Sequence, residues 1–278
     1  MKGSLFVFAL LIIFNSTSFS QTCCKSNPTV AFAKLVDDPK FKSKHESPLE
    51  LNEIHHAGDM IRLNIDKANE GKAYFVKAKS NSKKYLLVFH EWWGLNDYIK
   101  NEADRLSAEL KDVNVIAIDL YDGKVATNPD EAGKLMQGVI IDRAKAIVNA
   151  GIEYCGNDAK IATIGWCFGG GWSMQAAILT DKKLKACVMY YGMPETDIDK
   201  LKNLKSEVLM IWAKKDQWIN EKVVNEFKQN MKEAKKKLTI EGFDAEHAFA
   251  NPSNPKFDNK AAKNANKKAM SFLKSKLK

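Results

Sequence analysis

Cys167 sits in the run Gly165-Trp166-Cys167-Phe168-Gly169, after the strand-like Lys160 to Ile164 and before Gly170-Gly171-Trp172. A strand that turns tightly into a helix forces the turn residue into a strained backbone, so its flanking positions must lack side chains that would collide. Gly165 and Gly169 meet that need. A cysteine held in such a turn is presented as a nucleophile. The helix N-terminus beside it favours thiolate over thiol, and the backbone N–H of Phe168 offers one donor to an oxyanion. Two partners follow in the chain order nucleophile, acid, histidine. Asp216 comes three residues after the apolar run Val208 to Ala213, and His247 lies in Phe243-Asp244-Ala245-Glu246-His247-Ala248-Phe249. In this arrangement His247 exchanges a proton with Cys167 or the leaving group, while Asp216 fixes its tautomer and orientation. Asp197, Asp199 and Asp244 are alternative acids.

A second region bears on the same chemistry. Tyr85-Leu-Leu-Val-Phe-His90-Glu91-Trp92-Trp93-Gly94 is a buried-strand pattern that ends in an acid and two tryptophans. A strand end here places Glu91 beside the turn and lets the backbone N–H of Trp92 act as the second oxyanion donor. Trp92, Trp93, Trp166 and Trp218 lie within two residues of Glu91, Cys167 or Asp216. If the polar groups converge, so do the rings, and an aromatic-walled pocket for a planar or apolar substrate part is expected.

These residues need a scaffold, and the hydrophobic pattern supplies one. Strand-like runs at Met60 to Ile65, Ala73 to Lys77 and Tyr85 to His90 are followed by helix Ile99 to Leu110 and strand Asn114 to Asp119. Helices then start at Asn128-Pro129-Asp130 and run to about Tyr154. Strand Lys160 to Ile164, helix Gly170 to Leu179 and strand Leu184 to Tyr190 follow. Strand Val208 to Ala213, helix Asn220 to Ala234, strand Lys237 to Glu241 and a terminal helix close the chain. Short Val/Ile/Leu runs alternating with amphipathic helices indicate an α/β fold with a mostly parallel central sheet and helices on both faces. There is no internal repeat.

Gly165-Trp166-Cys167-Phe168-Gly169-Gly170, Asp216, His247 with Ala248-Phe249, and His90-Glu91-Trp92-Trp93-Gly94 together resemble the dienelactone hydrolase family of α/β-hydrolases, from about Met60 to the C-terminus. The resemblance implies an α/β-hydrolase fold and a Cys167-His247-Asp216 triad that cleaves a carboxylic ester or lactone through an acyl-thioester, without cofactor or metal. It also implies that Glu91 contacts the resting thiol and helps switch it to thiolate when substrate arrives, with Phe168 and Trp92 N–H groups as the oxyanion hole. Family members that cleave dienelactone grip its carboxylate with two arginines. Here the position four residues after His247 is Asn251, and Tyr121 to Gly138 contains Lys124 and Lys134 but no arginine. Lysine does not reproduce the planar bidentate grip, so dienelactone itself is not the expected substrate. The alternative is a non-catalytic small-molecule-binding protein on the same fold.

Composition bounds the rest. The chain has 278 residues, 45% of them hydrophobic, with only 7 Pro and 15 Gly, which excludes disordered and collagen-like classes. Met1-Lys2, the apolar run Leu5 to Phe14 and the triplet Ser18-Phe19-Ser20 look like a secretory signal peptide at residues 1–20, too short to span a membrane. An uncleaved anchor, or lipidation at Cys23 or Cys24, is the alternative. The expected product is a periplasmic or secreted monomer, with residues 21–58 as an N-terminal extension and 59–278 as the hydrolase domain. The net charge of +9 is concentrated near the C-terminus, where lysines surround the stripe Ala262, Ala265, Ala269, Phe272 and Leu273. That is the solvated face of a docked helix, and no nucleic-acid partner is expected. Five cysteines (Cys23, Cys24, Cys155, Cys167, Cys187) leave at least one unpaired within the chain. Cys187 belongs to a buried strand, Cys155 is open to either reading, and Cys167 lacks the resolving cysteine of a redox motif. His55-His56 is a poor chelate, and no pair of cysteines has zinc-ligand spacing with a histidine cluster.

Overall fold

A computed structural model describes residues 27–51 and 56–278. The signal-like segment, Cys23, Cys24 and His55 lie outside the described residues.

The chain enters through two short helices, α1 (Pro28–Ala33) and α2 (Pro39–Lys44), joined by a 3-10 turn at Lys34–Asp37. Both start on proline behind a side-chain cap, Asn27 accepting from the N–H of Thr29 and Asp38 from that of Lys40. The cap satisfies an orphan donor, and proline gives up a donor that had no partner. The sequence pattern predicts a short helical patch at Val30 to Val36 and reads the stretch from there through Gly58, which holds α2, as polar.

Strands β1 (Asp59–Asn64), β2 (Glu70–Val76) and β3 (Lys84–Phe89) lead to helix α3 (Asp97–Leu110) and strand β4 (Asn114–Asp119). Helices α4 (Pro129–Gln137) and α5 (Ile141–Tyr154), strand β5 (Lys160–Trp166), helix α6 (Phe168–Leu179) and strand β6 (Leu184–Tyr190) follow. The chain finishes with α7 (Ile198–Leu201), β7 (Glu207–Ala213), α8 (Glu221–Glu233), β8 (Leu238–Phe243) and α9 (Asn259–Lys276). All eight strands form one sheet in the order β1-β2-β4-β3-β5-β6-β7-β8. β1 with β2 and β2 with β4 pair antiparallel; β4, β3, β5, β6, β7 and β8 run parallel. The order reverses around β3 and β4, so the crevice at the carboxyl ends of the parallel strands is where an α/β sheet of this kind presents a site.

The central strands are buried on both faces: Leu86, Leu87, Val88 and Phe89 of β3 and Val115 to Ile118 of β4 have no exposed surface. That is why they read as continuous apolar runs rather than alternating ones. Helix α6 is buried from Phe168 to Ala177, its polar Ser173 and Gln175 hydrogen-bonded inside. Terminal helix α9 buries Ala262, Ala265, Ala269 and Leu273, while its lysines pair with sheet and helix acids, Lys268 with Glu241 and Lys276 with Glu207. Among the described residues no helix is long and apolar enough to cross a membrane.

Candidate active site

The turn from β5 into α6 is strained at Cys167. Cys167 has φ 58° and ψ −121°, a conformation an L-residue holds only when its surroundings impose it. Those surroundings are the N–H of Cys167 donating to Tyr190 O at 3.0 Å and the N–H of Gly170 donating to Cys167 O at 3.0 Å. A Cβ on Gly165 would collide with the carbonyl of Gly169, and one on Gly169 with the carbonyls of Phe89 and His90. The two glycines therefore let β3, β5 and α6 close on one another, and this places the end of β3 against the nucleophile turn.

The end of β3 is pinned by His90. Its Nε2 accepts from the N–H of Leu120 at 3.1 Å, so its Nδ1 carries the proton and donates to Glu91 O at 2.6 Å. Burial holds His90 neutral, its pKa below the ordinary value. The next residue, Glu91, is 5% exposed, and burial pushes its carboxyl up to about 8, against a smaller downward pull from Tyr191. One carboxylate oxygen accepts from Nδ2 of Asn251. Asn251 stands where a carboxylate-gripping arginine would be expected, and it is turned instead onto Glu91.

Cys167 is 1% exposed. Burial pushes its thiol well above the ordinary range, and the nearby Glu91 adds to this; the backbone N–H groups of Phe168 and Trp92 draw it part of the way back. The helix N-terminus alone predicts a low thiol pKa, and that expectation is corrected here because desolvation outweighs the terminus. The two N–H groups that act on the sulfur are the two named from sequence as oxyanion donors.

The other strand ends converge on the same spot. His247, on the loop after β8, donates from Nδ1 to Oδ2 of Asp216 at 2.5 Å. The other oxygen of Asp216 accepts from the N–H groups of Trp218 at 2.9 Å and Ile219 at 3.0 Å. Burial would raise the Asp216 carboxyl, but His247 and these two N–H groups hold it below the ordinary carboxylate range. Nδ1 being engaged, Nε2 of His247 is left buried and without a hydrogen-bond partner, and a ring nitrogen of His247 lies within 4.8 Å of Cys167 Sγ.

The four tryptophans occupy different walls. Trp92 and Trp93 meet edge-on at 4.9 Å, and Trp218 stands 5.9 Å from His247. Trp166 stacks on Tyr190 at 5.4 Å and, with Glu91, Tyr98 and Asn251, lines a cavity of about 30 Å³. Three rings that join Trp92 and Trp218 over His247 are not suggested by the sequence at all. Phe41 lies between the two tryptophans, 5.2 Å from Trp92 and 5.0 Å from Trp218; Phe32 lies 6.2 Å and His45 5.2 Å from His247. Tyr191 also packs on His247, at 5.0 Å. His45 donates from Nδ1 to Phe41 O at 2.6 Å, and its Nε2 is buried without a partner. Burial pushes its pKa down to about 3, so it is neutral.

Residues 27–51 thus form a strap over the strand ends. Its outer fastenings are Trp218 Nε1–H donating to Asp38 at 3.0 Å, Lys42 with Asp130 at 2.8 Å, Lys44 with Glu246 at 3.1 Å and the N–H of Leu49 donating to Ser253 O at 3.0 Å. Away from this place, Cys187 is buried in mid-strand with its thiol pushed up to about 11, and Cys155, buried and unpaired, donates to Gly151 O at 3.2 Å.

Comparison with known proteins places this geometry in context. Residues 72–277 match the model of the dienelactone hydrolase family. The chain is 30% identical over 205 residues, 69% of its own length and 88% of the relative's, to a protein of Aquifex aeolicus assigned the name carboxymethylenebutenolidase. It is 28% identical over 142 residues to carboxymethylenebutenolidase of a Pseudomonas species, spanning 51% of this chain and 58% of that one. Two solved structures share the fold. A dienelactone hydrolase-like promiscuous phosphotriesterase from metagenomic libraries superposes with a TM-score of 0.68 at 21% identity, covering 80% of this chain and all of that one. Dienelactone hydrolase from Anabaena variabilis does so with 0.57 at 17% identity, with the same coverage of each chain.

Proposed function

The chain belongs to the dienelactone hydrolase family and is a hydrolase of esters or lactones; from that premise we propose that it works through Cys167, His247 and Asp216 with an acyl-thioester intermediate. The observation that carries the reading is the alignment of three groups: Asp216 fixes Nδ1 of His247, and the ring that it fixes lies within reach of Cys167 Sγ.

In this mechanism the thiol rests protonated, because a buried sulfur with an acid beside it is a poor place for negative charge. When the substrate carbonyl enters, its oxygen takes the N–H groups of Phe168 and Trp92, and the thiol proton passes to Nε2 of His247 as sulfur attacks the carbonyl carbon. Until the substrate enters, Glu91 beside the sulfur keeps the thiol protonated, and the proton leaves for His247 only as the sulfur attacks. Collapse of the tetrahedral intermediate breaks the C–O bond, and His247 returns the proton to the departing alkoxide. Water then attacks the thioester with His247 as base, releasing the carboxylic acid and restoring the thiol. Asp216 supports the imidazolium that forms in both halves.

The rings beside His247 are Phe41, Trp218 and Tyr191, with Trp92 against Phe41, and the position of a gripping arginine holds Asn251. An apolar acyl or aryl portion suits these walls better than the carboxylate of dienelactone. Export by the segment at residues 1–20 and action as a monomer outside the cytoplasm complete the proposal.

The test is hydrolysis of a panel of aryl esters and lactones by the protein and by Cys167→Ala. Turnover is expected to fall by about 10⁶-fold in the variant, as when the nucleophile of a triad is removed. Full activity in Cys167→Ala would end the assignment.

A further inference from the structure

His45 is unexplained by the hydrolytic mechanism. It comes from the strap rather than from a strand end, it is buried, and its Nε2 has no partner. Phe41 O can only accept, so the proton of His45 is on Nδ1 and the Nε2 lone pair is free. His247 has the same form, with Nδ1 committed to Asp216 and Nε2 open. One ligand atom from each imidazole and the sulfur of Cys167 all lie within 4.8 Å of one another.

We propose that His45, His247 and Cys167 form a binding site for a borderline-soft divalent cation of the zinc(II) class. The donor set, two neutral imidazoles and one thiolate, is the kind such an ion takes, and it contains no oxygen ligand for magnesium or calcium. Each histidine already donates its other ring proton, one to a backbone carbonyl and one to a carboxylate, which is the outer arrangement that orients imidazole ligands on a metal. Around a tetrahedral ion the donors stand about 3.5 Å apart, so the cluster needs to contract by no more than about 1.3 Å, within reach of small ring rotations. Binding releases the thiol proton to solvent and forms an S–metal bond; no electron is transferred.

Occupation has two consequences. The ion ties the strap, through His45, to the strand ends. On the reading of Cys167 and His247 as nucleophile and base, it also consumes both and silences the hydrolase until it is removed.

The test is a titration of cobalt(II) into the full chain carrying Cys23→Ser and Cys24→Ser, so that the N-terminal pair contributes no thiolate. One cobalt per chain is expected, with a thiolate-to-metal charge-transfer band and the intense visible bands of a four-coordinate centre, all displaced by zinc(II). The charge-transfer band should vanish in Cys167→Ala, and affinity should fall at least tenfold in His45→Ala, His45→Gln and His247→Gln. The last of these leaves the strap sequence intact and so answers even if a His45 variant fails to fold. No band at millimolar cobalt, a band that survives Cys167→Ala, or unchanged affinity in the histidine variants would overturn the site. Because the readout is spectroscopic, the two readings separate. A protein that binds cobalt in this way yet hydrolyses nothing keeps the metal site and loses the triad, and one that hydrolyses esters yet shows no band does the reverse.

Discussion

Cys167, Glu91, Asp216 and His247 each follow the carboxyl end of a strand in one hydrogen-bonded sheet, whereas Phe32, Phe41 and His45 reach the same place from two six-residue helices. The first set is positioned by backbone. Its strands are buried on both faces, its turn is held by glycines, and its acid accepts three hydrogen bonds. The second set is positioned by its cargo: helices this short do not persist alone, so α1 and α2 exist because Phe32 and Phe41 are buried against Trp92, Trp218 and His247. The frame carries the proposed chemistry on hydrogen-bonded strand ends; the strap lies over it and is held by side chains that can be removed one at a time.

This difference predicts where substitutions act. Phe41→Ala should have the largest effect, costing about 3 to 5 kcal/mol of strap docking through lost burial and a cavity. Because the loss falls on local opening rather than on the sheet, alkylation of Cys167 by iodoacetamide should accelerate about a hundredfold or more while the strands keep their hydrogen-exchange protection. Loss of protection in β5 and β6 as well would mean that strap and frame are one cooperative unit.

Glu91→Gln probes the frame. The Glu91 carboxyl ionises at about 8 in the fold against an ordinary value of 4.5. Between those values the native state keeps a proton that the unfolded chain has lost, so native stability falls as pH rises across that window, by about 1.4 kcal/mol per unit. Glutamine can still accept from Asn251 and carries no charge to bury. Denaturant unfolding at pH 5 and pH 8 should show the parent losing stability between the two and the variant losing much less; parallel losses would place the buried charge elsewhere. Lys44→Ala should be the mildest change. Its pair with Glu246 is exposed on both sides, and such pairs contribute less than about 1 kcal/mol, so a thermal melt should move by a few degrees at most. A larger shift would show that the strap is held from outside.

The same contrast explains what the sequence discloses. The nucleophile turn is legible because its requirement is local, with glycine needed two residues either side of Cys167. Asp216 and His247 are legible because strand order and chain order coincide in this fold. Asn251 is visible as a departure from an arginine, but its partner Glu91 lies 160 residues away and appears only when β3 and the loop after β8 are brought together. His45 leaves no local trace, and α2 leaves only its start signal, Asp38-Pro39. Phe41-Lys-Ser-Lys-His45 is an ordinary polar stretch until Trp218 and His247 are set beside it. The thiol is the opposite case, where a local argument from the helix terminus gives the wrong direction because burial and Glu91 are not local.

The strap also has a place in time. The chain positions that it joins are far apart, 180 residues between Asp38 and Trp218 and 202 between Lys44 and Glu246. It precedes the sheet in the chain, yet its seat includes residues that follow β7 and β8, so closure of its long loop is expected late in folding. Until then Cys167 has no cover, and an oxidant met during folding reaches a thiol that the finished molecule conceals. The period of greatest chemical exposure for this thiol is then its own assembly.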